Sequence, residues 1–344
     1  MNAAIPATGI ARRLAPLADR LRPLLLLAGG SVIVWLVWDL GPAAVWDVIH
    51  TLGWRLVIVV LVPFSLAVIL DTLAWRALLP GCRASFRALV GARLAGEAVN
   101  LATPTASVGG EPLKAYLLRD HLPLDEGLAS VIVDKTAVVI GQALFLAAGL
   151  FLARALEPPR ALLFAMAALL AAEAVGAAGF ALVQLAGILG GSGRLLGLFG
   201  LGPIERHREM LEDIDLWLGR LYRERAAGIA ASGVLHALAW AVGALEIYVV
   251  LHLLGRPVTV ATALALEAFG TAVKFATFIV PGSLGALEGG NAAIFAAFGL
   301  GGALGLASTL IRRLREAMWA LIGLGALALL RSRPQAVPSG QGGP

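Results

Sequence analysis

Long unbroken apolar runs recur along the whole chain, and they restrict its fold more than any other feature. One of them, residues 56–79, reads LVIVVLVPFSLAVILDTLAWRALL, and comparable stretches occupy 24–38, 127–153, 161–189, 226–254, 260–306 and 316–330. A helix needs about 20 mostly apolar residues to cross the hydrocarbon core of a bilayer. The composition agrees: of 344 residues, 59% are hydrophobic and 14% charged, with a mean hydropathy of +0.86. In lipid every backbone amide and carbonyl must be satisfied internally, which leaves only helices and closed barrels. Barrel strands would alternate polar and apolar residues, whereas these runs are continuous and rich in Ala, Leu and Gly. The expected fold class is therefore an all-α polytopic integral membrane protein.

Several other classes fall away. A single cysteine, Cys82, rules out an internal disulfide framework and a multi-cysteine metal site. His236 and His252 are sixteen residues apart with no ligand pattern around them, so no metal or cofactor is expected. The formal charge of +5 does not indicate nucleic acid, because the arginines sit in short loops between apolar runs, as the positive-inside rule requires. Counting them places both termini in the cytoplasm, with 1–22 as a cytoplasmic lead-in, 23–333 as the membrane domain and 334–344 as a disordered tail. The first apolar run has no small-residue cleavage site and reads as a retained helix. Residues 190–225 alternate charges with Leu, Ile, Trp and Tyr at helical spacing, which predicts an amphipathic helix on the cytoplasmic interface. Arg312, Arg313 and Arg315 break the rule: an even number of crossings puts them toward the outer side, so either the crossing count is off or these side chains have a task there.

Two segments interrupt the apolar pattern in the same way. The first, NLATPTASVGGE, runs from Asn100 to Glu111 around Pro104; the second, TFIVPGSLGALE, runs from Thr277 to Glu288 around Pro281. Aligned on the prolines, each has a glutamate seven residues downstream and a glycine at five or four, while Glu97 and Lys274 occupy equivalent upstream positions. A proline inside such a run frees a backbone carbonyl, which is tolerated only where protein or water covers it. Paired interrupted segments in the two halves of a membrane chain point to a transporter's binding site. The pattern predicts about six spanning helices plus two re-entrant hairpins, arranged as an inverted repeat. Charges in a membrane interior cost at least about 2.5–3.5 kcal/mol each, so their clustering at the breaks favours a hydrated cavity. The candidate substrate-binding residues are Glu97, Asn100, Pro104, Gly109, Gly110, Glu111 and Lys114 at the first break. Lys274, Pro281, Gly282, Gly285 and Glu288 are those at the second. Asp134, Lys135, Arg312 and Arg313 join them, the first two with structural pairing as the alternative, the arginines as planar forks for phosphate at the outer mouth or else as anchors at the interface. The opposite charges of Glu97 and Lys274 suggest that they face each other. Asp71, Glu173, Glu246 and Glu267 each stand alone in a span and read as packing carboxylates, with proton coupling as the alternative.

GEAVNLxxPxxxVGGExxKxYLL at 96–118, Trp75-Arg76, VDK at 133–135, PGSLGALEG at 281–289 and LIRRL at 310–314 occur in the order of a known family. Over about residues 20–330 the chain resembles the flippase-like membrane domain of lysylphosphatidylglycerol synthase/flippase proteins. The resemblance implies an all-helical unit that moves phospholipid headgroups between leaflets. Bifunctional members carry a soluble aminoacyl-transferase domain after the membrane part; this chain ends eleven residues past Arg333 and is expected to be the flippase half alone. Stand-alone relatives have been linked to hopanoids and glycolipid carriers, so the lipid stays open: phospholipid, aminoacylated, glycosylated or hopanoid.

The expected function is lipid translocation in a bacterial-type cytoplasmic membrane, with a homodimer and a lipid-synthesis enzyme as conceivable partners. No GxxxxGK[ST] loop occurs, which argues against nucleotide-driven pumping. Two alternatives are an integral-membrane transferase using Glu97, Glu111 or Asp134 as bases on a lipid-linked donor, and a non-transporting scaffold for a lipid synthase.

Overall fold

The computed structural model describes residues 50–79, 81–102, 109–185, 208–277, 283 and 285–331. Among these residues all regular structure is helical. The helices are α1 (Arg55–Ala77), α2 (Phe86–Ala102), α3 (Glu111–Leu117), α4 (Leu124–Arg154), α5 (Arg160–Leu185), α6 (Arg208–Glu224), α7 (Ala226–Leu253), α8 (Val260–Ala276), α9 (Ala286–Ala297) and α10 (Gly302–Arg331). The expected span at 24–38, the termini, residues 190–207 of the expected amphipathic segment, and Pro104, Pro281 and Gly282 lie outside the described residues.

α1, α4, α5 and α7 are long and apolar enough to cross a bilayer. α5 shows what kind of solvent the outside must be. Its buried residues are Met166, Glu173 and Gln184, while Phe164 and Val175 are each 74% exposed. A helix that hides its polar side chains and presents its apolar ones belongs in lipid. The last apolar run, expected at 316–330, is only the second half of α10, a 30-residue helix. Arg312, Arg313, Arg315 and Glu316 interrupt its hydropathy without interrupting the helix, because each finds an oppositely charged partner inside the bundle.

The helix order repeats. A long helix (α1 or α7) leads into a 17-residue helix (α2 or α8), a break, a short helix (α3 or α9) and a long helix of 31 or 30 residues (α4 or α10). α2 and α3 run antiparallel: the Asn100 side chain meets Gly110 and Glu111, and Glu97 meets Lys114. α8 and α9 do the same, with Gly270 against Asn291 and Val273 against Gly290. Each break therefore separates two helices that pack antiparallel. The halves exchange their last helices, α10 packing on α2 and α4 on α8, while α1 packs on α7.

Close approach decides where glycine is needed. A Cβ on Gly110 would lie 1.9 Å from the Gly96 carbonyl oxygen, and one on Gly290 would lie 2.7 Å from Val273 Cγ1. Gly290 sits inside α9 as a packing position. Gly285, with φ +74° at the start of α9, is the turn residue. A Cβ on Gly289 would touch nothing within 4 Å. Gly110→Ala is thus expected to destabilise by about 1–3 kcal/mol, as overpacking does. Gly289→Ala should be neutral or gain up to about 1 kcal/mol from helix propensity. Thermal unfolding of the two variants in detergent checks this; equal midpoints would refute the hairpin packing.

α6 carries an apolar stripe, as expected, but protein rather than lipid covers it. Ile214, Leu218 and Leu221 pack with Leu78, Ala129 and Val133. Trp217 Nε1 donates to Asp125 Oδ2 at 2.9 Å, and Tyr222 Oη is 3.0 Å from Gln184 Oε1. α1 is tied to α10 where Pro63 disturbs its hydrogen-bond ladder: Trp319 Nε1 donates to the Val60 carbonyl at 3.1 Å, and the Phe64 and Trp319 rings are 4.9 Å apart.

Candidate functional site

Each half of the repeat holds a buried cluster of charges around its hairpin. In the first, Glu111 at the start of α3 is the hub. It accepts from Lys135 Nζ at 2.9 Å, Lys114 Nζ at 3.1 Å and Asn100 Nδ2 at 3.1 Å. Asn100 also uses its Oδ1 to accept from the Gly110 amide at 2.7 Å, so one side chain of α2 closes both ends of the α3 entry. Gly109 precedes Gly110 in the same turn. Lys114 reaches back to Glu97 at 2.8 Å; its own side chain is 3% exposed and that of Glu97 45%. Burial of this kind works because donors and carboxylates are matched one against another in a low-dielectric setting.

Adjacent on α4, Asp134 and Lys135 point apart by about 100°. Lys135 joins Glu111, whereas Asp134 turns to a different set: Arg93 of α2 and His236 of α7, which also bind Asp71 of α1. Arg93, Asp71 and His236 were absent from the expected site. Arg93 carried a signal that was available, since it precedes Glu97 by one helical turn within an apolar stretch. His236 carried none, because its partners are 165 and 102 residues away in sequence.

The second cluster lies on α7, α8, α9 and α10. Arg312 pairs with Glu267 and Arg315 with Glu246. Arg313 donates through Nε to Glu288 at 2.9 Å and through Nη1 to Glu316 at 3.1 Å, and Glu316 also accepts from Lys274 at 3.2 Å. The arginines are therefore buried in the bundle rather than placed at an outer mouth. The exception to the positive-inside count arises because these residues are not in a loop at all. Glu246 and Glu267, which looked isolated in sequence, each hold an arginine. Only Glu173 among the four lone carboxylates has neither oxygen hydrogen-bonded among the described residues.

The expected Glu97–Lys274 contact does not form, since Glu97 pairs with Lys114 and Lys274 with Glu316. Each charge is answered by a partner close to its own hairpin. Glu97 and Lys274 are the most exposed members of their clusters, at 45% and 47% of the side chain, and Lys135 follows at 31%.

Apolar, lipid-facing helices around two buried clusters of charge define a polytopic membrane protein. The family profile described as lysylphosphatidylglycerol synthase TM region matches residues 23–325, and the chain belongs to that family. No curated protein and no solved structure matches the chain.

Proposed function

We propose that the protein translocates a polar-headed membrane lipid between leaflets, the headgroup passing along the two hairpins while the acyl chains stay in hydrocarbon. The observation that carries this reading is the graded exposure of the two clusters. Glu97, Lys135 and Lys274 are reachable, and each rests on partners that are nearly fully buried. A phosphodiester can exchange with the carboxylate now held by Lys135 or Lys274, and a headgroup amine can take the place of a lysine at Glu97. Exchange of one ion pair for another keeps charge compensated throughout, which a bare crossing of the bilayer does not. The remaining candidates, Asn100, Gly109, Gly110, Glu111, Lys114, Asp134, Gly285, Glu288, Arg312 and Arg313, would hold the hairpins in place or complete the path. The two hairpins would re-enter the membrane, with Pro104, Pro281 and Gly282 at their tips. The arginine distribution supports a cytoplasmic-membrane location with both termini inside.

The test is leaflet accessibility in reconstituted vesicles. With the protein present, dithionite should bleach fluorescent phosphatidylglycerol or phosphatidylethanolamine that began in the inner leaflet, and Glu111→Gln should slow this severely. Equal protection of the inner leaflet with and without protein, for every headgroup tried, would remove the translocation reading.

A further inference from the structure

We infer that Asp71, His236 and Asp134 form a binding site for one exchangeable proton, and that its uptake and release accompany lipid movement; the second clause rests on the translocation reading above. His236 Nδ1 lies 2.7 Å from Asp71 Oδ1, and Nε2 lies 3.0 Å from Asp134 Oδ1. A neutral imidazole carries one N–H and one lone pair, so it can donate to only one of these carboxylates. The other contact would set a nitrogen lone pair against an ionised oxygen. Both contacts become hydrogen bonds only when one further proton is present, on the second ring nitrogen or on a carboxylate.

Charge balance leads to the same count. The remaining oxygens of the two aspartates face Arg93, whose Nη2 is 3.2 Å from Asp71 Oδ2 and whose Nη1 is 3.5 Å from Asp134 Oδ2. These four side chains, from α1, α2, α4 and α7, therefore close into a ring. The adjoining hairpin contributes Glu97, Glu111, Lys114 and Lys135. Among the described residues the first cluster thus sets four carboxylates (Asp71, Glu97, Glu111, Asp134) against three permanent cations (Arg93, Lys114, Lys135). The second sets Glu246, Glu267, Glu288 and Glu316 against Lys274, Arg312, Arg313 and Arg315 and balances without help. Only the first cluster needs a proton for neutrality, and it is the one that contains a histidine.

Access and linkage make this proton more than a static filler. His236 and Asp134 side chains are 1% and 5% exposed, whereas Asp71 is 26% exposed, so Asp71 offers the way in. Arg93 stands one turn before Glu97 on α2, and Asp134 stands next to Lys135 on α4. Loss of the proton leaves the ring with net negative charge, which pulls on Arg93 and competes for Lys135 with Glu111. The hairpin then holds its charges differently with the proton bound and released.

Two measurements test this. In a chain whose other four histidines are replaced by glutamine, nitrogen-15 NMR at pH 7 should find both ring nitrogens of His236 protonated, or infrared should find a protonated carboxyl that Asp71→Asn or Asp134→Asn abolishes. A singly protonated imidazole with no protonated carboxyl would overturn the site. In vesicles with the membrane potential clamped, a one-unit pH gradient should hold about a tenfold leaflet ratio of fluorescent phosphatidylglycerol, the equivalent of one proton per lipid. An entrapped pH dye should report proton flux with it, and His236→Gln should lose both. Lipid movement that ignores the gradient and carries no protons would overturn the coupling while leaving translocation standing. No lipid movement at all would overturn both.

Discussion

Lys114→Met is expected to lower the stability of the membrane domain by about 3–5 kcal/mol, the range found when one partner of a buried ion pair is removed. Methionine is chosen because the lysine stem has a packing role of its own. A Cβ on Gly96 would lie 2.5 Å from Lys114 Cγ, so the stem lies directly on the α2 backbone. Methionine keeps most of that contact and removes only the ammonium group. What remains is Glu111 with Lys135 and Asn100, which still satisfy it in part, and Glu97 without its cation. The loss should be only partly recovered in Lys114→Met/Glu97→Gln, because Glu97 is 45% exposed and its carboxylate costs little when unpaired, whereas the buried Glu111 has still lost one of its cations. A double-mutant cycle on unfolding midpoints in detergent measures the coupling. An unfolding midpoint for Lys114→Met equal to the wild type would mean that the hairpin is held by packing alone, and the charge cluster would lose its structural role.

Much of the architecture was legible because it follows from local rules. Apolar length located α1, α4, α5 and α7 to within a few residues. The pairing of charges was not legible, and the reason is geometric. Glu246 and Arg315 are 69 residues apart and belong to helices that meet only in the folded bundle. A hydropathy average sees Arg312, Arg313, Arg315 and Glu316 as the end of a span, since it counts charge and not compensation. Aligning the two proline segments matched residues by sequence position, and matched positions in two similar segments need not be neighbours in space. That is why Glu97 and Lys274 were matched in sequence and are answered separately in space.

Arg313→Lys is expected to be more damaging than Arg312→Lys, although both keep the charge. Arg312 makes its ion pair with one carboxylate, Glu267, and a lysine can reach a single partner from the same helix position. Arg313 uses two nitrogens for two carboxylates on different helices, Nε for Glu288 of α9 and Nη1 for Glu316 of α10. A lysine ammonium is one point at the end of a flexible stem and cannot reproduce that fork. Glu316 keeps Lys274, so the residue left unanswered is Glu288, at the start of the second hairpin. Arg313 Nη2 is buried and makes no hydrogen bond among the described residues, so under the translocation reading it is the donor left for a headgroup oxygen. Losing the bridge and that donor together should slow lipid movement by about tenfold or more, each 1.4 kcal/mol being a factor of ten. Arg312→Lys should fall by less. Flip rates of both variants in vesicles, normalised to folded protein, decide the order. Equal rates, or Arg312→Lys as the slower, would show that the fork of Arg313 is dispensable and would move the second half of the site elsewhere.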